Sequence, residues 1–378
     1  MLRTVGVEEE LLLVDPGSGQ PCALSSEVLA RLAKCAADGG GPAQGTFERE
    51  LQGQQLEFGT RPQTDMEELG AEIVRWRHEA ARHAAEAGAA VAALATSPLP
   101  VRPAVNAGRR YRWMEEQFGL TTQEQLTCGC HVHVSVASDD EGVAVVDRIQ
   151  PWLPVLTALS GNSPYWHGND TLYSSYRSRV WGRWPMSGPT GVFGSAERYH
   201  AQVDDMVTSG VVHDRGMIYF DARLSHRYPT VEIRVADVCL EATTALLVAC
   251  LARALVETAA RDWRRGRPPL GHGVQLLRLA AWRAARSGLD DDLLHPMTMR
   301  PAPAPVVARA LFDHVREALE DSGDFAWAHK ATAELLARGN GARIQRELLA
   351  RTGSLSDVVA ACVRRTLGER ELRYTTPE

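Results

Sequence analysis

The chain has 378 residues, of which 44% are hydrophobic and 23% charged, and its formal net charge is -6. These proportions are ordinary for a soluble globular protein and exclude a disordered or fibrous chain. The basic residues are scattered, so no nucleic-acid partner is expected. No apolar run approaches the roughly 18 residues that cross a bilayer, and no secretory signal is recognised. Seven cysteines are too sparse for a disulfide framework, so we expect a cytoplasmic protein without a membrane partner.

The first predicted element is a strand near the N-terminus. Val5, Val7 and Leu11 follow a period of two, which places Glu8 and Glu10 together on the opposite face, roughly 7 Å apart. Two carboxylates on one face repel each other unless a cation lies beside them. A solvated acidic edge is the alternative interpretation, so this motif alone is a weak signal.

A second extended stretch is predicted from Phe47 to Phe58, and it carries two further glutamates. The spacing of seven places Glu50 and Glu57 on opposite faces of an uninterrupted strand. Both can serve one site only if the chain turns or bulges between them, and Gly53 is the position that allows it. Two unrelated surface glutamates are the alternative.

The sequence CGCHVHVS predicts a strand with histidines on one face and cysteines on the other. His131, His133 and Ser135 share a face, while Cys128 and Cys130 lie on the opposite one. These opposed faces argue against a zinc site built from both residue types. The two histidines suggest one metal ligand and one nucleotide contact instead.

A later strand, Val231–Val235, combines an acid and a base. Glu232 and Arg234 share one face, and the apolar residues share the other. The alternative here is a surface ion pair. Considered with the three preceding strands, however, this is a fourth element that directs charged side chains to one side of a sheet.

The remaining predicted elements complete a single α+β domain over residues 1–378 whose C-terminal third is helical. They are a long helix from Asp65 to about Ala93 behind a Thr64–Glu67 capping box, strands at Val91–Ala95 and Cys130–Val136, binding loops from Pro151 to Gly194, a helix from Leu240 to about Arg265, and a Pro-rich break at Pro296–Pro305. No internal repeat or composition shift marks a second domain.

The candidate ligands form an oxygen-rich set. Five glutamates and one histidine favour magnesium or manganese over zinc, and their number suits more than one ion bound with a nucleotide triphosphate. Arginines able to grip phosphate or carboxylate are Arg177, Arg179, Arg183, Arg223, Arg227 and Arg234. The chain has no phosphate-binding P-loop, no dinucleotide glycine fingerprint and no serine nucleophile elbow.

The ordered motifs resemble the carboxylate-amine ligase family related to type 2 glutamate-cysteine ligases, whose fold is like that of glutamine synthetase. The resemblance covers nearly the whole chain, in the segments GVEEELLLVDP (6–16), ELQGQQLEFGT (50–60), CGCHVHVSV (128–136), SYRSRVW (175–181), DARLSHRYPTVEIRVADVC (221–239) and GARIQRELLARTGSLSDVV (341–359). It implies an antiparallel sheet forming a funnel, with helices packed on its outer face, and it implies ATP and Mg²⁺ or Mn²⁺ as cofactors.

The resemblance also implies roles for individual residues. Ligands of an ion near the acid substrate are Glu10, Glu50 and Glu57, and ligands of an ion that holds the nucleotide phosphates are Glu8, His131 and Glu232. The implied catalytic residues, which stabilise the transferred phosphoryl group, are Arg177, Arg179 and Arg234. The implied nucleotide-binding residues are His133, Arg179 and Arg223. The chain departs from the family where Leu224 replaces a proline and where the loop at 225–229 adds a cation.

The function expected from this reasoning is ATP-dependent amide-bond formation through an acyl phosphate, from a small-molecule acid and an amine. Glutamate and cysteine are the default pair, and a specialised biosynthetic ligase that joins another pair is the alternative. A guanidino-kinase-like phosphotransferase and a catalytically idle binding protein are the other hypotheses considered. The sequence leaves open whether the chain forms a homo-oligomer.

Overall fold

The computed structural model describes residues 2–37 and 46–369. Within these ranges the strands are β1 (Val5–Val14), β2 (Phe47–Arg49), β3 (Gln55–Gly59), β4 (Ala90–Ala92), β5 (Gly129–Ser135), β6 (Tyr165–Trp166), β7 (Asn169–Asp170), β8 (Ala222–Leu224), β9 (Thr230–Asp237), β10 (Asp292–Leu294) and β11 (Pro301–Pro303). Chain order and sheet order differ, so the sheet is assembled from segments distant in sequence.

The helices within the same ranges are α1 (Ser25–Ala37), α2 (Met66–Glu86), α3 (Arg109–Phe118), α4 (Leu120–Gln123), α5 (Asp139–Ile149), α6 (Leu153–Ser160), α7 (Arg177–Trp181), α8 (Ala196–Thr208), α9 (Ala242–Arg264), α10 (Val274–Ser287), α11 (Ala304–His314), α12 (Arg316–Ser322), α13 (Phe325–Arg338), α14 (Gly341–Thr352) and α15 (Leu355–Thr366). A short 3₁₀ turn spans Arg215–Met217.

The central feature is an antiparallel sheet with the strand order β2-β3-β1-β5-β9-β8, in which β4 also pairs with β1. Strand β1 is long enough to have two neighbours along one edge. Its first half pairs with β5 and its last three residues pair with β4, while β3 occupies the opposite edge. The strand that carries Glu8 and Glu10 therefore lies in the middle of the sheet rather than at an edge.

Helices α2, α6 and α9 pack on one face of this sheet. Helix α9 is long and apolar enough to cross a membrane by length and composition, but 78% of its most apolar window is buried inside the described part of the protein. Such burial is typical of the core helix of a soluble protein. The sheet therefore has one face covered by helices, and the opposite face carries the polar side chains.

Glu9, the middle residue of the acidic motif, points into the covered face. It is completely buried and pairs with Arg77 of α2, whose Nε and Nη2 lie 2.8 and 2.7 Å from its carboxylate oxygens. Arg77 also donates to the carbonyl oxygens of Cys239 and Leu240. Removing one partner of such a pair leaves a buried charge and costs about 3–5 kcal/mol. Because side chains alternate along β1, Glu9 stabilises the covered side of the sheet, whereas Glu8 and Glu10 lie on the opposite face.

Several predicted element bounds are wrong. The long helix ends at Glu86 rather than near Ala93, because Gly88 adopts the left-handed conformation with φ +82 and β4 begins at Ala90. The extended stretch at 47–58 is two strands joined by a turn. The segment 151–194, predicted as loops, contains the buried helix α6, whose short apolar run has no periodicity that distinguishes it. The Pro-rich break contributes β11, which pairs with β10.

Candidate active site

A cavity of about 1100 Å³ lies against the polar face of the sheet. Alternate residues of the central strands reach it, which follows from the period of two in extended chain. The strand residues that line it include Glu8, Glu10, Glu57, His131, His133, Glu232 and Arg234. The predicted common face of four elements is therefore present as one concave surface.

The first cluster in this cavity consists of Glu10, Glu50 and Glu57. Antiparallel pairing of β1 with β3 places Glu10 directly opposite Glu57. Glu50 joins them because the chain turns between β2 and β3, where a Cβ at Gly53 would lie only 3.1 Å from the Ala23 Cβ. One carboxylate oxygen from each glutamate lies within 4.8 Å of the others. The structure thus brings together residues that a continuous strand would separate.

Nearby cations balance the negative charge of this acidic cluster only in part. Burial, with a further contribution from Glu50, raises the pKa of Glu10 to about 7, although Arg177 acts in the opposite direction. Burial and Glu50 also raise the pKa of Glu57 well above its usual value. The Gly129 N–H donates to Glu10 Oε2 at 2.6 Å and offsets only part of this cost. Three crowded carboxylates with raised affinity for protons are a donor set suited to a divalent cation such as Mg²⁺.

The second cluster consists of Glu8, His133 and Glu232, whose donor atoms also lie within 4.8 Å of one another. Strand register explains it, since His133 of β5 pairs with Glu232 of β9 and Glu8 lies opposite His131. Glu8 is 3.4 Å from His131 Nδ1 and 3.3 Å from His133 Nε2. Burial acts to raise the pKa of Glu8, but hydrogen bonds from His131 and His133 outweigh it and hold that pKa below its usual range.

Glu232 already has two cationic partners. Arg223 Nε and Nη2 lie 2.8 and 3.2 Å from its carboxylate oxygens, and Arg234 Nη1 donates to the same carboxylate. Burial opposes ionisation, yet Arg234 and then Arg223 hold the pKa of Glu232 well below its usual range. Arg234 also lies 5.5 Å from the ring of Trp181 and 5.7 Å from that of Tyr219. These contacts fix a guanidinium group at the floor of the cavity.

A bulge in β9 adjusts the alternation near these residues. Cys130 pairs with Ala236 but Val132 pairs with Ile233, so β9 has one additional residue opposite His131. Beyond the bulge, Asp237 is fully buried rather than exposed to the cavity.

Asp237 organises the loop that leads to α7. Its carboxylate accepts hydrogen bonds from the Asn162 N–H at 2.8 Å and from the hydroxyls of Ser163 and Ser175, both at 2.7 Å. The Ser163 hydroxyl oxygen in turn accepts from the Arg177 N–H at 3.0 Å. Sequence reasoning missed Asp237, and the only signal was an acidic residue at the end of an otherwise apolar strand.

Two predicted catalytic arginines are outside the cavity lining. Arg177 is buried beside Gly129, and its guanidinium donates to the carbonyl oxygen of Arg234 at 3.4 and 3.5 Å. A side chain at position 129 would collide with it, because a Cβ there would lie 2.3 Å from Arg177 Nη2, which explains Gly129. Arg179 is on the short helix α7, beyond the residues that form the cavity. Their direct contact with phosphate stays a prediction.

The other arginines differ in position. Arg183 pairs with Glu124 at 2.6 Å, outside the lining. Arg227, the additional cation of the loop at 225–229, is exposed at the cavity mouth and lies 3.7 Å from Glu48 of β2. His131 lies beside Glu8, but the donor cluster contains His133 in its place. The division of the two histidines between metal and nucleotide stays a prediction.

Sequence reasoning missed a further group of lining residues, because they lie on short helices and turns without a pattern that marks a cavity. They are Arg110, Tyr111, Met114, Gln125, Trp184 and Tyr219. Only the density of aromatic residues and arginines between residues 151 and 194 gave an indirect signal.

The fold and the site indicate the class of protein, and a comparison with known protein families identifies the family. Residues 4–361 match glutamate-cysteine ligase family 2 (GCS2), and the chain belongs to that family. The predicted family is therefore confirmed, and the chain is an enzyme of the ATP-dependent carbon–nitrogen ligase class.

Close relatives extend over the whole chain. A Streptomyces avermitilis protein provisionally named glutamate-cysteine ligase 2-1 is 69% identical over 367 residues, which are 97% of this chain and 100% of the relative. A Streptomyces coelicolor protein provisionally named glutamate-cysteine ligase 2 is 65% identical, with coverage of 97% and 99%. These provisional names leave the substrates of this chain open.

The fold is shared with a solved ligase. The glutamate-cysteine ligase of Francisella tularensis, determined in complex with AMP, superimposes with a TM-score of 0.70 at 14% identity and covers 97% of this chain and 89% of that one. At this identity the likeness shows the fold alone. It confirms a mixed helix and strand architecture built on an antiparallel sheet.

Proposed function

We propose that this enzyme joins an acid to an amine by first converting the acid to an acyl phosphate with ATP. The observation that carries the proposal is the pair of clusters on one sheet face, of which one has its charge balanced by arginines and the other has an excess of carboxylate. In this arrangement the polar sheet face forms a funnel, with nucleotide phosphates near Glu8 and His133 and the acid near Glu10.

The residues present fit divalent cations. Glu10, Glu50 and Glu57 would hold one ion, and Glu8, Glu232 and one of the paired histidines would hold another. When bound, such ions supply positive charge against phosphate and carboxylate oxygens.

Arg234 and Arg223 are the protein's own cations at this site. Their guanidinium groups lie at the cavity floor beside Glu232, within a buried environment where charge interactions are strong. The acid's carboxylate oxygen attacks the γ-phosphorus and ADP leaves. Arg234 is suited to stabilise the negative charge on the transferring phosphoryl group, since a planar fork of donors matches its oxygens.

The second step transfers the acyl group to the amine. The amine nitrogen attacks the acyl carbon and releases a proton, the bond from that carbon to the phosphate oxygen breaks, and phosphate leaves with the electron pair. Glutamate and cysteine are the default pair, supported by the provisional names of the two Streptomyces relatives. A cytoplasmic location agrees with that chemistry, and oligomerisation stays a prediction.

Trapping the intermediate tests this proposal. Enzyme, ATP, Mg²⁺ and glutamate are incubated with hydroxylamine in place of the amine, and the acyl hydroxamate is measured beside ADP. Equal amounts of hydroxamate and ADP are expected. ADP release that depends on a guanidino compound alone, with no hydroxamate from any acid of a panel, would instead support the phosphotransferase alternative.

A further inference from the structure

Two buried polar atoms at one corner of the cavity have no hydrogen-bond partner among the described residues. They are the side-chain oxygen of Gln125 and the indole N–H of Trp184. Both residues line the cavity, with exposed fractions of 3% and 2%. Native proteins leave few buried polar atoms unpaired, so each requires an explanation such as a ligand or an ordered water.

Both side chains are held in place by their surroundings. The Gln125 amide nitrogen donates to Thr127 Oγ1 at 2.7 Å, which leaves its oxygen free as an acceptor. The Trp184 ring contacts Phe118 and Tyr219, with centroids 5.0 and 5.8 Å away. An ion pair of 2.6 Å between Arg183 and Glu124, their immediate chain neighbours, connects the two segments. The free acceptor and the free donor are therefore preorganised features of one corner.

This corner lies beyond the acidic cluster, on the side away from Glu8. Thr127 is connected to β3 because its carbonyl oxygen accepts from Gln55 at 2.9 Å, two residues before Glu57. Two residues after Thr127, the Gly129 N–H donates to Glu10. The order across the cavity is therefore Glu8, then Glu10 with Glu57, then Gln125. With phosphate bound near Glu8, a nucleophile at this corner would approach the acyl carbon from the opposite side.

The walls of the corner are mainly apolar. Met114, Trp181, Trp184 and Tyr219 line it, and the ring centroids of Trp181 and Tyr219 are 4.8 Å apart. Two cationic side chains near these rings are already paired, Arg110 with Asp214 at 3.1 Å and Arg234 with Glu232. A neutral acceptor, a neutral donor and aromatic walls suit an uncharged group better than a phosphate or a second carboxylate.

Resting on the function proposed above, we infer that this corner binds the amine substrate. Gln125 Oε1 accepts from the N–H of the attacking amine, and the Trp184 indole donates to an oxygen or sulfur atom of the same molecule. The aromatic walls then favour an amine with an uncharged, apolar side chain, which includes cysteine, over one with a charged side chain.

Steady-state kinetics on two variants test the assignment. Trp184→Phe removes the indole N–H together with one ring but keeps an aromatic side chain, and Gln125→Leu removes the acceptor together with the amide donor to Thr127. For each, the KM for the amine is expected to rise roughly 3- to 10-fold, the effect of one neutral hydrogen bond, while the KM values for ATP and the acid change less than about twofold. Matched controls are Trp282→Phe and Gln123→Leu, which change exposed residues outside the cavity lining.

Two further measurements keep the inference separable from the proposed function. An amine panel on the unaltered enzyme is expected to show at least 10-fold higher kcat/KM for cysteine and aromatic amines than for lysine and aspartate. The inference would be overturned by a preference for a charged amine or by a rise in the KM for the acid instead of the amine. A change in the thermal stability of the variants without a change in KM would also overturn it and would indicate only a bound water. Hydroxamate formation by the unaltered enzyme shows independently whether the acyl phosphate proposal holds.

Discussion

The two carboxylate clusters of the cavity lie two residues apart along β1 but differ in how their charge is balanced. Around Glu8 and Glu232, histidines and arginines lower the pKa values of the carboxylates. Around Glu10 and Glu57, burial and neighbouring carboxylates raise those pKa values. The comparison teaches that similar residues on one strand face acquire opposite electrostatic properties from their cross-strand neighbours.

This difference predicts a division of labour. The Glu8 cluster contains paired cations and suits a polyanion such as a triphosphate, whereas the carboxylates of the Glu10 cluster form no ion pair among the described residues and depend on an added cation. The following predictions test that division, from the largest expected effect to the smallest.

Removal of divalent cations is expected to abolish activity. Exhaustive chelation should reduce ADP formation to background, and Mg²⁺ or Mn²⁺, but not Zn²⁺, should restore it, because the proposed ligands are mainly carboxylate oxygens. The measurement is turnover against metal concentration in chelator-treated enzyme. Full activity after chelation would show that the acidic cluster has another purpose.

Arg234→Lys is expected to lower turnover roughly 10²-fold or more with nucleotide binding retained, since lysine keeps the charge but loses the planar fork. Single-turnover acyl phosphate formation and nucleotide affinity distinguish these effects. Arg316→Lys, on the exposed surface of α12, is the control.

Glu232→Gln is expected to have a different defect from Arg234→Lys. It removes the carboxylate shared by two buried arginines, so weaker nucleotide binding and a loss of about 3 kcal/mol or more in unfolding free energy should accompany it. Denaturant unfolding and nucleotide titration measure the two effects. Identical kinetic defects in the glutamate and arginine variants, or none in either, would mean that β9 does not face the reacting groups.

The thermal stability of metal-free enzyme is expected to fall as the pH rises from about 4.5 to about 7. The pKa of Glu10 is raised to about 7, so its contribution to stability is complete below its ordinary pKa and is lost as the pH rises through about 7. Glu10→Gln should flatten this dependence by a few degrees in Tm, and the exposed Glu116→Gln should not. Added Mg²⁺ should stabilise the unaltered protein most at pH 8. A profile unchanged by Glu10→Gln would contradict the proposed electrostatics.

The smallest effect on catalysis is expected for Cys128 and Cys130, whose side chains are buried and outside the cavity lining. Replacing both with alanine should leave kcat within about twofold and lower the melting temperature. Cys250→Ala, in the core helix α9, is the matched control for a buried cysteine away from the cavity. Loss of turnover in a folded double variant that still binds ATP would contradict this assignment.

The sequence by itself determined the strand faces. A period of two is a local property of extended chain, so the shared faces of Glu8 with Glu10, His131 with His133, and Glu232 with Arg234 could be predicted without the fold. The motif order was also sufficient to identify the family. Neither inference required knowledge of which strands are neighbours.

Only the tertiary structure decided how those faces combine. Strand order and register place Glu57 opposite Glu10 and His133 opposite Glu232, and these pairings join segments separated by tens of residues. The pairing also determines the pKa directions, because burial and neighbouring charges depend on which strands meet. Arg177 is buried and lies outside the cavity lining, on a short helix whose direction no strand period predicts, and its contact with substrate stays a prediction. Gln125 and Trp184 reach the cavity through turns and short helices, where no sequence period marks which side chains point inward.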